Sequence, residues 1–220
     1  MENHEIFQYI DHTQLKAFAS WEDIQKICEE AMHYKTASVC IPPSYVRRVH
    51  EAYPGLTICT VVGFPLGYSV TEAKLSETRQ ALEEGAAEID MVINIAQVKN
   101  GEYEAVEQEI RSLKETVGDK ILKVIIETCF LTEKEKIAMC RAVTKAGADY
   151  IKTSTGFGTA GAVLADVLLF KKYIGPGVKI KAAGGVRSKE DMERFIEAGC
   201  ARIGTSSAVS LLVKEDPNEL

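Results

Sequence analysis

Short apolar runs recur along the chain and alternate with longer stretches whose apolar positions repeat at helical spacing. Seven runs stand out, at 37–41, 57–62, 88–93, 121–126, 149–152, 178–182 and 201–204. Helical patterns lie between them, at 21–34, 44–52, 71–84, 102–117, 132–146, 162–172 and 188–198. Ser20, Thr132 and Ser188 stand where N-caps belong, and Gly85, Gly147 and Gly199 follow the last turns as C-caps. Three junctions repeat, EEGAAEIDMV, KAGADYIKTS and EAGCARIGTS, each a helix end, a glycine, a small residue and a strand. Regular alternation of this kind requires a parallel sheet, because parallel neighbours need a crossover and the helix supplies it. An eighth run at 9–13, after a helical turn at 2–8, completes the set. Eight such units in 220 residues predict an α/β protein of the (β/α)₈ TIM barrel type, one domain over 1–220 with a short N-terminal helix. The alternative is an open doubly wound sheet, which usually carries a glycine-rich phosphate fingerprint after its first strand; IDHTQL is not one.

Composition narrows the class. Residues AVILMFWYC make up 46% and charged residues 26%, ordinary for a globular chain, and no linker or low-complexity segment divides it. A chain of this length buries enough surface to need no disulfide or metal staple. The formal charge of −6 argues against nucleic acid as a partner, though not against a small anion. Cys28, Cys40, Cys59, Cys129, Cys140 and Cys200 contain no C-x-x-C pair and read as reduced thiols of a cytoplasmic protein. The opening MENHEIFQYIDHT lacks the basic-then-apolar order of a secretory signal. The uncharged stretch 56–71 is interrupted by Gly63, Pro65 and Gly67, so no membrane span is expected.

Strands of a parallel barrel are covered on both faces and should read as nearly continuous Val, Ile and Leu. Several here do not: Asp90 interrupts EIDMVINI, Lys123 and Glu127 bracket LKVIIET, Lys152 ends DYIK, and Lys179 and Lys181 lie in VKIKAAGG. An unpaired charge in such a place costs several kcal/mol. A lone one is ordinarily a salt-bridged or rim residue, and Lys179, early in its strand, is read so. The others fall towards the C-terminal strand ends, the mouth where barrel enzymes hold their sites. Two ammonium groups ~5 Å apart at an effective dielectric of ~20 repel by roughly 3 kcal/mol, about two pKa units. A lysine pair therefore favours a free amine, and a free amine attacks carbonyls to form an imine. Asp90 suits the proton transfers that such chemistry needs.

Two later motifs suit an anion. AAGGVRS places Gly184 and Gly185 after the seventh strand, and ARIGTSS places Gly204, Ser206 and Ser207 after the eighth; each precedes a helix. Loops after strands 7 and 8 are the usual phosphate site of this barrel, where free backbone N–H groups and helix N-termini attract an anion. His4, His12, His33 and His50 form no H-x-H or H-E-x-x-H, so neither metal nor cofactor is expected. His12, at the end of the first strand, is placed to reach a pocket.

In that order, IDHT, SVCIPP, EIDMVINI, LKVIIET, YIKTSTGF, IKAAGGVRS and RIGTSS resemble the deoxyribose-phosphate aldolase family, over about 9–212. The resemblance implies a (β/α)₈ barrel and reversible cleavage of 2-deoxy-D-ribose 5-phosphate to D-glyceraldehyde 3-phosphate and acetaldehyde, without a metal because an imine is the electron sink. It implies that Lys152 is the Schiff-base nucleophile. Lys181 would lower that lysine's pKa and share in proton transfer, Asp90 would be the acidic proton donor and acceptor, and Lys123 would hold Asp90 ionised. Gly184, Gly185, Gly204, Ser206 and Ser207 would cradle the phosphate. Asp11, Thr13, Cys40 and Thr153 would lie near the substrate. Phe157 replaces a basic residue that some relatives have after TSTG, which leaves neutral backbone donors and a modest phosphate affinity. Some relatives end in a tail whose tyrosine reaches the site; KEDPNEL holds no tyrosine.

Other readings of the same residues remain. A phosphosugar isomerase or epimerase would use Asp90 and Glu127 as bases and form no covalent adduct. A phosphate-ester binder would be stabilised by ligand without turnover. A lysine beside a phosphate cup would also suit pyridoxal phosphate. Small barrels often pair through their outer helices, so a homodimer is compatible with the sequence.

Overall fold

Each apolar run becomes a strand in the computed structural model, which describes residues 1–213; KEDPNEL lies outside them. The strands are β1 (Ile10–Thr13), β2 (Ser38–Ile41), β3 (Ile58–Val62), β4 (Glu88–Val92), β5 (Ile121–Ile125), β6 (Tyr150–Lys152), β7 (Lys179–Ala183) and β8 (Cys200–Thr205). They close in sequence order into an all-parallel barrel, with β1 paired to both β2 and β8. The helices are α1 (Asn3–Phe7), α2 (Trp21–Tyr34), α3 (Val46–Ala52), α4 (Thr71–Glu83), α5 (Ile95–Lys99), α6 (Tyr103–Val117), α7 (Glu133–Ala146), α8 (Leu164–Tyr173), α9 (Lys189–Ala198) and α10 (Ala208–Leu212). None of them is long and apolar enough to cross a membrane.

Local chemistry sets the helix ends. Ser20 and Thr132 accept from the backbone N–H groups of Asp23 and Glu135, whose carboxylates answer the caps' own N–H groups. Ser188 caps α9 by accepting from Asp191. Gly147 and Gly199 end α7 and α9 in the left-handed conformation, as expected. Gly85 differs. Helix α4 ends at Glu83 with Glu84 as its right-handed cap, and Gly85 turns the chain one residue later. There a Cβ would lie 2.4 Å from His50 Cγ, so close packing of α3 also requires glycine.

The strands are not continuously apolar; they alternate, because the barrel interior is polar. Ile89 and Met91 of β4, Leu122 and Val124 of β5, Ile151 of β6, Ile180 and Ala182 of β7 and Ile203 of β8 join the core beneath the helices. Their neighbours point inward at period 2, which sends Asp11, Glu88, Asp90, Lys123, Lys152, Lys181 and Arg202 to the centre. Lys179, the first residue of β7, stays exposed at the opposite rim from the pocket-lining loops, 5.7 Å from the Tyr150 ring centroid, as its early position implied. Outside the barrel, buried Lys74 of α4 donates to the Val92 carbonyl at 2.8 Å and to Glu109 of α6 at 2.9 Å, fastening the end of β4. Burial pushes the Lys74 ammonium down in pKa while Glu109 pulls it back.

Candidate active site

Seven ionisable side chains fill the barrel interior as one connected network. Asp90, midway along β4, is its hub. Its Oδ2 accepts from Lys152 Nζ at 2.7 Å and Lys181 Nζ at 2.8 Å, and its Oδ1 accepts from Lys123 Nζ at 2.9 Å. Lys181 also donates to Asp11 Oδ2, and Lys123 lies 2.5 Å from Glu88 Oε2. Arg202 closes the far end, gripping both Glu88 oxygens at 3.0 and 2.9 Å and Asp11 Oδ1 at 2.6 Å. Ser38 donates to Asp11 Oδ1 at 2.8 Å, and the Cys59 thiol to Asp90 Oδ1 at 3.1 Å.

The electrostatics follow from these contacts. Burial opposes the charged form of Asp90, but Lys123, Lys152 and Lys181 outweigh it and hold the carboxyl well below its usual range. Asp11 is lowered in the same way, by Lys181, Lys123 and Arg202 against burial. Burial likewise disfavours the Lys181 ammonium, yet Asp11 and Asp90 raise its pKa above the ordinary value. Lys181 is therefore a fixed cation, bonded to the same carboxylate oxygen as Lys152. The Cys59 thiol is driven up by burial, whereas a hydrogen bond from Cys59 draws Cys40 down.

Of the seven, Lys152 alone lines the open pocket above them, a cavity of about 320 Å³. Asp90, Lys123 and Lys181 were expected at the mouth; they form a buried layer beneath it, because they sit mid-strand. Gly184, Gly185, Gly204, Ser206, Ser207 and Thr13 line the pocket. Gly184 and Gly185 adopt φ of +78° and +74°, which only glycine takes without strain. Across the loop, a Cβ on Gly161 would lie 2.2 Å from the Gly184 carbonyl, so the two segments pack backbone to backbone. Helix α9 itself starts further on, and its first turn is occupied by Ser188 and Asp191, with Asp191 also accepting from Arg187 N–H at 3.2 Å. The pocket glycines thus act from a loop rather than from the helix N-terminus expected for AAGGVRS.

Three residues expected near the substrate do not line this pocket. Thr153 is fully buried and exchanges hydrogen bonds with the Ala183 backbone, donating at 3.2 Å and accepting at 3.1 Å. Asp11 lies in the network below the pocket, and Cys40 packs with Cys59 and Val61. His12 points out of the barrel to Glu30 of α2, 2.6 Å away. Glu127 is not free to act as a base, since both its oxygens lie near Thr155 N, at 3.2 and 3.4 Å, and one accepts from the Thr155 hydroxyl. It braces the loop carrying Gly156 and Phe157, and Phe157 stacks edge to face on Phe64. Residues that sequence reasoning passed over also take part: Glu88, Arg202 and Cys59 in the network, and Lys16 and Arg187 on the pocket wall. The last two replace the purely neutral cradle with a partly cationic one.

A metal fits poorly. Cys40, Cys59 and Asp90 offer ligand atoms within 4.8 Å of one another, as do Asp11, Cys59 and Glu88. The carboxylates in both sets are already bonded to buried ammonium or guanidinium groups. A dication would have to displace these or sit beside them.

Comparison with known proteins agrees with the architecture. The family model described as DeoC/LacD family aldolase matches residues 6–212. A deoxyribose-phosphate aldolase of Clostridium botulinum (strain Alaska E43 / Type E3) is 66% identical over 217 residues, 98% of each chain. One of Clostridioides difficile (strain 630) is 55% identical over 97% of this chain and 98% of its own. The solved structure of deoxyribose phosphate aldolase from Aeropyrum pernix superposes with a TM-score of 0.89 at 32% identity, covering 98% of this chain and 93% of that one. With the barrel, its interior lysines and these likenesses together, the chain belongs to the DeoC/LacD family of aldolases.

Proposed function

We propose that this aldolase cleaves 2-deoxy-D-ribose 5-phosphate reversibly to D-glyceraldehyde 3-phosphate and acetaldehyde through an imine on Lys152. The observation that carries the reading is the Lys152 nitrogen at the pocket floor, sharing one Asp90 oxygen with the permanently charged Lys181. The network holds three carboxylates, Asp11, Glu88 and Asp90, against four cations, Lys123, Lys152, Lys181 and Arg202. With both thiols protonated, full ionisation leaves one positive charge in excess, which a desolvated interior disfavours. Lys152 is the member placed to react as a free amine. It touches a single carboxylate and faces the pocket.

The free amine attacks the C1 aldehyde of the open-chain sugar. Asp90 takes the proton lost by the attacking nitrogen and returns it to the carbinolamine oxygen. A second proton from pocket solvent lets that oxygen leave as water, and the Lys181 ammonium aids the dehydration as a fixed hydrogen-bond donor on Asp90. The protonated imine then accepts the electron pair of the breaking C2–C3 bond while the 3-hydroxyl gives its proton to Asp90 through water. Glyceraldehyde 3-phosphate leaves, Asp90 returns that proton through the same water to the enamine carbon, and hydrolysis of the imine releases acetaldehyde, the free amine and the solvent proton. Gly184, Gly185, Gly204, Ser206 and Ser207 bind the phosphate, with Lys16 and Arg187 adding charge.

The test is trapping. Borohydride added with acetaldehyde or the sugar phosphate, in the presence of a chelator, should leave a stable adduct on Lys152 in peptide mass spectra. Turnover without an adduct would favour a route that forms no lysine imine. The phosphate assignment is tested separately. Arg187→Gln should raise KM for the phosphosugar about tenfold, the ~1.5 kcal/mol of one charged hydrogen bond, with kcat within about a factor of two. Steady-state kinetics on unphosphorylated 2-deoxyribose, whose KM should not move, is the control.

A further inference from the structure

Arg202 and Glu88 occupy the end of the ionic network away from the pocket, and neither lines it. We infer that this pair sets the pH range over which Lys152 works, acting on it through charge rather than contact. The inference rests on the imine reading above.

From Arg202 to the pocket, charges alternate in sign. Arg202 holds Glu88 and Asp11; these hold Lys123 and Lys181; both of those hold Asp90; Asp90 holds Lys152. The groups facing Lys152 from the surrounding strands are Asp11 on β1, Cys40 on β2, Cys59 on β3, Glu88 and Asp90 on β4, Lys123 on β5, Lys181 on β7 and Arg202 on β8. Tyr150 shares its own strand, and Glu127 follows β5 but is tied to Thr155. Arginine cannot shed its proton under these conditions. It is thus a permanent positive charge that two of the three carboxylates already share. Remove it, and the remaining three cations balance the carboxylates only when Lys152 is protonated. Remove Glu88's charge, and the excess positive charge grows, so Lys152 sheds its proton more easily. The two changes have opposite signs, which no loss of packing produces.

The measurement is the pH dependence of acetaldehyde trapping on Lys152 by cyanoborohydride, read as the rate of adduct formation by intact mass on the whole chain. A unit charge roughly 10 Å away at an effective dielectric of ~20 moves a titration by about one unit. In Arg202→Gln the acid limb should therefore move about one unit to higher pH. In Glu88→Gln it should move about one unit lower. Arg202→Lys keeps the charge and should hold the limb at the wild-type position. The double variant Arg202→Gln/Glu88→Gln, which removes one charge of each sign, should bring it back near there.

A structural role alone would slow trapping at every pH and leave the limb in place. Limbs that stay put, or that move in the same direction in both single variants, overturn the inference while the Lys152 adduct stands. Should Arg202→Gln fail to fold, the downward shift in Glu88→Gln and its reversal in the double variant decide the matter. A wild-type protein that turns over without any adduct at Lys152 overturns the imine reading itself, and this inference with it.

Discussion

Lys152→Met should lower cleavage of 2-deoxyribose 5-phosphate by on the order of 10⁴-fold or more, the scale seen when a covalent nucleophile is removed. The protein should stay folded. Methionine fills nearly the same space as the lysine stem, and the change leaves three carboxylates facing three cations, with Asp90 still held by Lys123 and Lys181. The change costs no ion pair that the three remaining cations and three carboxylates need among themselves, so the thermal midpoint should match or exceed that of the wild type. The same variant should form no borohydride adduct yet retain phosphosugar binding, seen as ligand-dependent thermal stabilisation. Loss of binding together with activity would instead mean that Lys152 positions the substrate and that another group does the chemistry. Retained cleavage would remove the mechanism outright.

Much of this site was legible because charge is conspicuous inside an apolar strand. Asp90, Lys123, Lys152 and Lys181 announced themselves by interrupting Val, Ile and Leu runs, and the glycine and serine motifs followed from their place after the last two strands. The layering was not legible, since a barrel read as apolar on both faces hides its own period of two. That period explains why His12 and Thr153 do not line the pocket. Once Asp11 points inward, His12 must point outward; once Lys152 points inward, Thr153 turns towards the neighbouring strand's backbone. Glu88 and Arg202 drew no notice because Glu88 opens β4 next to a turn and Arg202 is a single charge in a short strand, and their meaning is contact across the barrel. Helices α5 and α10, five residues each, are too short to display a period.

A network of this kind makes stability and chemistry depend on the same carboxylate, and Asp90→Asn separates the two. The amide can still accept one hydrogen bond but carries no charge, which leaves Lys123 and Lys181 without their shared counter-ion and Lys152 without its partner. Breaking a buried ion cluster from one side costs about 3–5 kcal/mol. Losing the proton acceptor costs a further ~10²–10⁴ in rate. Urea denaturation at neutral pH measures the first loss and single-turnover trapping the second. The acid limb of stability adds a signature. Asp90 and Asp11 have pKa values below those of an unfolded chain, so between the folded and unfolded values the unfolded state binds more protons and stability rises with pH. Their contribution is therefore fully present above the unfolded value of ~3.9 and is lost as pH falls through the lower folded values. In Asp90→Asn the denaturation midpoint should start lower at neutral pH and fall less steeply below about pH 4. A variant as stable as the wild type would mean that Lys123 and Lys181 do not depend on Asp90 for their charge. A lowered midpoint with undiminished acid sensitivity would mean that Asp11, gripped by Lys181 and Arg202, carries the acid limb alone.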